Sequence, residues 1–410
     1  MISSSSDSVS KPGLSVAIIG NGIAGAAAAR QLSLTMPEQL DRITLYEIGR
    51  GPGGRASTRK TRAIPALGIN HGAPYADITT SEGLELLSSL GDAITPYTGV
   101  RCLVDGSTGA CQRRERLAGE ALITGINGEM AAIAGALMLD DHNARLPRIN
   151  SAYSTMIRGL SRSDDEEAPW ILRDKNAEEV GRADWLVVAG SGVAHPRWSD
   201  TFGGEPPLVA VASQLADAQL NEALAVIAGQ TAAPVLTVLM HCTGDQAEQW
   251  QRLGFNDGRV EHHSVLAKIS IQPCGPESCS VVLHSTIDYA RGNAGVYGAS
   301  SSAARVGDAS SDSAREEAIV DEMLTALGDI PGMPAIEKSR YVLGPLLHRW
   351  GNAFPEGQPL PRALSLCPTS RVAFCGDYIS TGARMGSCEC ALLSGTHAAD
   401  AIHAQAMGDV

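Results

Sequence analysis

Residues Leu14–Arg59 read LSVAIIGNGIAGAAAARQLSLTMPEQLDRITLYEIGRGPGGRASTR, and the rest of the chain is organised around them. Leu14 to Ile19 is a short apolar run rich in branched side chains, the pattern of a buried strand. GNGIAG follows, placing Gly20, Gly22 and Gly25 at G-x-G-x-x-G spacing. An alanine-rich run to Leu34 reads as a helix, and a second apolar stretch, Ile43 to Tyr46, ends in Glu47. In that order each residue has a task. Gly20 makes a tight turn, Gly22 admits close backbone approach to a pyrophosphate, and Gly25 lets helix pack on strand. Ile23, Ala24 and Gly25 open the helix, whose unpaired N–H groups and partial positive charge suit phosphates. Glu47 can accept hydrogen bonds from an adenosine ribose. Strand, glycines, helix, strand and acid in register predict dinucleotide binding.

The residues after Glu47 narrow the ligand. GRGPGGR puts Gly51, Gly53 and Gly54 before Arg55, allowing a second close backbone approach beside a guanidinium suited to diphosphate. The block YEIGRGPGGRASTRK resembles the E-x-x-R-G-x-G-G-R-x-x-T-R signature of the renalase-like branch of the flavin amine-oxidase superfamily. That resemblance implies FAD as cofactor, with Glu47 on its ribose and Gly54–Arg55 near its pyrophosphate. Further matches are the turn His71-Gly72-Ala73-x-Tyr75, VVLHSTIDYARGN, LLHRWGNAFPEG, and ECALLSG, which follows the family's E-G-A-x-x-S-G with Cys390 in place of glycine. In the family the strand from Val372, Gly376-Asp377 and the helix carrying Glu389, Cys390 and Ala391 close the cofactor site. Asp377 would accept hydrogen bonds from the ribityl or pyrophosphate region, and the helix N-terminus would face the flavin N1–C2=O edge. Two departures stand out. Pro74 replaces a glutamine common after the alanine, and QPCGPES replaces the relatives' K-P-G-R turn.

The resemblance implies an α/β fold: a three-layer, Rossmann-like ββα FAD-binding domain with an inserted α+β substrate domain. The FAD-binding domain is expected in three parts, 14–75, 140–205 and 346–410, and the substrate domain in two, 76–139 and 206–345. Within these, Ser81 is expected to cap a helix to Leu90, and Asn127 one to Leu139. SRSDDEEAP reads as a polar hairpin tip before a strand, Leu186 to Ala189, that rejoins the first sheet. The adenine is expected near Tyr153 to Ile157. GASSSAARVGDASSDS reads as a Gly/Ser/Ala-rich loop, and AREEAIVDEMLTALG as an amphipathic helix.

Composition sets outer bounds. A chain of 410 residues can bury a substantial core in two or three domains. Aromatic residues are only 4%, so any slot for a flat ligand is built largely from small and aliphatic side chains. The net charge of −13 argues against nucleic acid or an anionic membrane as main partner. No run approaches the roughly 20 apolar residues of a transmembrane helix. Residues 1–13, MISSSSDSVSKPG, lack a hydrophobic stretch and read as a disordered leader or a remnant of processing. Nine scattered cysteines fit reduced thiols in a reducing compartment, the cytoplasm, or the plastid stroma if a transit peptide has been removed. Cys388-x-Cys390 and Cys274 with Cys279 lack further ligands at finger-like spacing, so no metal is expected.

The chemistry expected from the resemblance is hydride transfer to flavin N5 from a small flat donor, a dihydronicotinamide or an amine, with oxygen or another acceptor taking the electrons. Oxidation of a dihydropyridine needs alignment and exclusion of water rather than a general base. The candidate walls are His71, Tyr75, His241, His284, Trp350 and Asn352, with Lys268 as a lysine near N5. Two other readings compete: an oxidoreductase of a larger apolar substrate such as a carotenoid or tetrapyrrole, and a flavin-binding subunit retained for structure or assembly within a larger complex.

Overall fold

The computed structural model describes residues 13–140, 144–163, 169–298, 301–307 and 312–408. The leader through residue 12, the centre of the polar hairpin tip and part of the Gly/Ser/Ala-rich loop lie outside the described residues. Within that loop a short helix, Ser302–Val306, does form, capped by Ser301.

Leu14–Ile19 is the centre of a six-stranded sheet. It pairs in parallel with Leu40–Glu47 on one side and Trp185–Ala189 on the other. Ile149–Tyr153 extends the first side, and Val372–Cys375 with the antiparallel edge strand Leu366–Cys367 extends the second. The chain thus works outward on one side and then crosses over. The topological switch falls between Leu14–Ile19 and Trp185–Ala189, where α/β sheets open a crevice at the carboxyl ends of their strands.

Period-two alternation divides the layers. Val16, Ile18 and Val187 face the helices Ile23–Thr35 and Cys388–Met407. Ala17, Leu186 and Val188 face the antiparallel meander Gly159–Arg162, Trp170–Arg173 and Glu179–Ala183. This is the expected three-layer ββα arrangement. The two helices approach closely because their contact residues are small. A Cβ on Gly395 would fall 2.2 Å from the Ala24 carbonyl oxygen and 3.0 Å from the Ala27 Cβ.

A second, seven-stranded sheet runs in the order Tyr341–Glu356, Thr231–Thr243, Ser278–Ser285, Leu266–Pro273, Asp257–Glu261, Arg101–Asp105 and Cys111–Arg113. Leu236, Val238, Met240 and Cys242 pack beneath the helices Ser313–Gly328 and Asp245–Gln251 through Ile319, Met323, Leu327 and Trp250. The alternate residues Leu239 and Val282 face Leu67 and Ile69 of the first unit.

The expected boundaries shift in three places. The limit at 345/346 falls inside one continuous 16-residue strand, Tyr341–Glu356. The helices Pro207–Leu215 and Ala218–Ala228, expected in the substrate unit, pack on the first sheet through Leu208, Val211, Leu220 and Ile227. The segment 76–139 is shared: Arg101–Asp105 joins the second sheet, whereas Ile133 and Leu137 pack with the first. Two helix starts also differ. Thr80, not Ser81, caps Ser81–Ser88 by accepting the Gly83 N–H at 3.0 Å. Asn127 does not cap a helix; it sits at φ 59° in a short turn, and the following helix spans Ala131–Ala136. Among the described residues no helix is long and apolar enough to cross a membrane.

Candidate functional site

At the carboxyl end of the first strand, Gly20 turns at φ 109°, and a Cβ there would lie 2.6 Å from the Ala189 carbonyl oxygen. The next helix begins at Ile23 with Gly22 as its cap and no side-chain acceptor, so its positive end is left for an external anion. The second glycine loop lies directly against the first: Gly53 N–H donates to the Asn21 carbonyl at 2.8 Å, and Gly22 pairs with Gly53 as an isolated parallel bridge. Glu47 braces both loops, accepting from Asn21 N–H at 2.9 Å and Gly49 N–H at 2.6 Å. Burial raises its carboxyl pKa while those two amides pull it down. Each oxygen keeps a further lone pair for a ribose hydroxyl. Asn21 is fully buried; its Nδ2 reaches Ser151 Oγ and Tyr153 OH, each at 3.3 Å, while its Oδ1 has no partner. Ser154 and Thr155 bond to the Gly49 and Glu47 carbonyls, so the stretch from Tyr153 runs beside Glu47.

Arg55 and Asp377 come together from opposite ends of the chain. The guanidinium forms a bidentate pair with the carboxylate at 2.7 and 2.6 Å and also donates to the Ala353 carbonyl at 3.1 Å. Asp377 was expected to accept hydrogen bonds from the ribityl or pyrophosphate region; within the protein both of its oxygens accept from Arg55. Gly376 N–H donates to Ser394 Oγ at 2.8 Å. The turn at Gly72 closes on Arg55, where a Cβ would lie 2.0 Å from the Arg55 carbonyl oxygen, and Ala73 N–H donates to that same oxygen.

Beyond this turn the second sheet presents a polar row. The register aligns His348, Thr237, His284 and Lys268 across neighbouring strands. The His71 carbonyl receives Trp350 Nε1–H at 3.1 Å and His284 Nε2 at 3.2 Å, which fixes His284 as the Nε2–H tautomer. Trp350 lies 5.1 Å from the His71 ring at an angle of 30°, and His348 meets both rings edge-on, at 4.9 and 4.3 Å. Burial, then the charge of Arg59, lowers the His71 pKa to about 4. Burial, then Lys268, lowers that of His284 to about 3. His348 is held well below its usual range by burial, then by His71, Arg59 and His284. These imidazoles are neutral at pH 7. Tyr75 donates to Asp257 at 3.0 Å, and Lys268 pairs with the other oxygen of Asp257 at 3.2 Å. Burial and then Asp257 raise the Tyr75 pKa, so its phenol stays protonated.

The structure therefore brings His71, Tyr75, His284 and Trp350 together and adds His348 and Asp257, which the sequence reading missed. His348 was findable, because two residues before Trp350 in a strand shares its face. His241 belongs elsewhere: its Nδ1 bonds Ser280 Oγ at 3.0 Å. At the C-terminal helix, the first turn is capped internally by Ser387, which accepts the Cys390 N–H. Both Glu389 oxygens are taken by the amides and hydroxyls of Thr79 and Thr80, at 2.6 to 3.2 Å. Glu389 thus ties this helix to the one starting at Ser81, and a cofactor contact through its side chain does not fit. Cys390 donates its thiol to the Ile379 carbonyl at 3.1 Å, and burial raises its pKa to about 11. Ala391 packs against the first core.

Comparison with known proteins agrees with this architecture. A family model for NAD(P)-binding Rossmann-like domains matches residues 18–87. No curated protein matches the chain by sequence. Cyclohexylamine oxidase from Brevibacterium oxydans IH-35A is similar in structure at 14% identity and TM-score 0.60, covering 97% of this chain and 100% of that one. Putrescine oxidase bound to putrescine is similar at 13% identity and TM-score 0.57, covering 96% and 100%. A protein from Exiguobacterium sp. 255-15, provisionally described as a protoporphyrinogen oxidase, is similar at 13% identity and TM-score 0.57, covering 96% and 99%. At such identities the likeness shows the fold alone, a Rossmann-like unit joined to an α+β unit, which this chain shares with those oxidases.

Proposed function

We propose that the protein is an FAD-dependent oxidoreductase of renalase type, taking a hydride from a small flat donor, a dihydronicotinamide or an amine. The observation that supports this reading is the contact of Gly72 with both Arg55 and Trp350, which brings two groups of residues side by side. The braced glycine loops with Glu47 and the partnerless Asn21 Oδ1 form one group, and the neutral His71–His348–Trp350 cluster, set against Gly72, forms the other. The fit to FAD rests on an uncapped helix N-terminus, apposed glycine backbones and a buried oxygen without a partner.

Bound FAD would supply a hydride acceptor and pass the electrons to oxygen or another acceptor. The chain's own residues hold and orient. Glu47 and the helix end at Ile23 bind the adenosine and phosphate portion. Trp350 and His71, both fixed through the His71 carbonyl, give a donor a flat, dry surface. With imidazoles neutral and the Asp257 carboxylate matched by Lys268, no strong base stands ready, which suits a donor that loses hydride without prior proton abstraction. The test is spectral titration of the apo-protein with FAD, then anaerobic bleaching of the flavin by dihydronicotinamides, primary amines and a porphyrinogen. Bleaching by a dihydronicotinamide is expected; bleaching by the porphyrinogen alone would replace the small-donor reading with the large-substrate one.

A further inference from the structure

We propose that Arg197 supplies a second cationic contact to the diphosphate of the dinucleotide, in addition to Arg55; this rests on the FAD reading above. Arg55 has both terminal nitrogens in bonds to Asp377, so its charge is matched inside the protein. A diphosphate brought to the glycine loops therefore needs a cation whose charge is not already paired. Arg197 answers that need. Its Nη1 is buried without a protein partner, and its Nη2 reaches only Ser191 Oγ at 3.4 Å.

Its placement fits the role. Arg197 follows the turn at the carboxyl end of Trp185–Ala189, on the far side of the topological switch from Gly20. That turn lies among the other strand-end turns: Gly190 Cα is 3.6 Å from the position of a Cβ on Gly376, and Ala189 touches Gly20. The backbone of Arg197 is also held. Its N–H donates to His195 Nδ1 at 3.0 Å, and His195 Nε2 donates to the Gln230 carbonyl at 2.8 Å. A neutral His195 is required for both bonds, and burial keeps it so. The charged groups in electrostatic reach are Arg55, which repels, and the exposed Asp200, which attracts weakly; burial works against the charge most of all. A bound dianion would relieve both unfavourable influences.

The test measures binding to apo-protein, not turnover. FAD affinity is read by flavin fluorescence across a salt series for wild type, Arg197→Gln and Arg197→Lys, with apo melting points alongside. Loss of a charge-assisted bond predicts FAD affinity about ten- to a hundredfold weaker in Arg197→Gln, a flatter salt dependence, and an unchanged apo melting point. Arg197→Lys should recover part of the affinity by keeping the charge without the fork. Equal affinity and salt dependence in wild type and Arg197→Gln would overturn the assignment. So would weakened binding that tracks a lowered apo melting point and is not recovered by lysine. A wild-type apo-protein that binds no FAD would overturn both this assignment and the reading beneath it.

Discussion

On the proposed function, Glu47 would serve structure and ligand together. It satisfies two backbone amides that hold the glycine loops in contact, so Glu47→Ala removes the proposed ribose acceptor and leaves both amides without partners. Losing a hydrogen bond to a charged group costs about 1.5–3 kcal/mol. FAD affinity should fall tenfold or more, and the melting temperature should fall with it. A variant with wild-type flavin occupancy after dialysis would remove Glu47 from the ribose. Trp350→Phe asks a narrower question. It deletes one indole N–H bond to the His71 carbonyl while keeping most of the ring. If Trp350 positions the donor, anaerobic flavin reduction slows with little change in melting temperature. A lowered melting temperature with an unchanged reduction rate would make it a packing residue. The strand–glycine–helix–strand arrangement ending in Glu47 was legible in the sequence because spacing carries that signal, whereas Trp350 stood out only as an indole in a chain poor in aromatics. The Arg55–Asp377 pair was not, since a bond between residues 322 positions apart leaves no local pattern.

At the scale of elements, short branched apolar runs, small-residue stretches and the family resemblance together located the strands around Leu14, Leu186 and Val372 and the helices from Ile23 and Cys388. Helix starts were read less well, because Thr80 and Ser81 offer similar hydroxyls and only backbone geometry selects between them. The helices Pro207–Leu215 and Ala218–Ala228 were placed with the wrong sheet, since an apolar stripe says that a helix packs but not on what. The contact between the fingerprint and C-terminal helices gives a prediction at this scale. A side chain at Gly395 would collide with the Ala24 carbonyl, and overpacking typically costs about 1–3 kcal/mol. Gly395→Val should lower the melting temperature and also weaken FAD binding, because the helix it pushes against, Ile23–Thr35, is the one that begins at the glycine loops. Thermal melts with and without FAD measure both; a stable variant with normal affinity would show that the two helices can separate without disturbing the site.

For the whole molecule, buried neutral histidines predict an acid limit. His71 and His284 have folded-state pKa values lowered from 6.5 to about 4 and about 3. The unfolded chain therefore binds more protons than the folded one as pH falls below about 6.5, and stability declines from there towards pH 4. Melting points across that range should show the loss, and His284→Asn should shallow its slope; an equal slope in both proteins would place the acid sensitivity elsewhere. The cofactor itself should be removable. Cys390 and Cys388 are both raised to about 11 by burial, so neither is a ready thiolate. Acid precipitation should leave the yellow colour in the supernatant, and a yellow pellet would point to a covalent bond.

The strand Tyr341–Glu356 belongs to the second sheet along its length, yet it reaches into the first unit twice, through Trp350 to His71 and through the Ala353 carbonyl to Arg55. It acts as a tie-rod. Sliding of one sheet against the other would pull on the His71–Trp350 contact and on Arg55 in the same stroke. On the proposed function, loading of the cofactor and alignment of the donor would be mechanically geared, and an alteration in the middle of that strand should register in both.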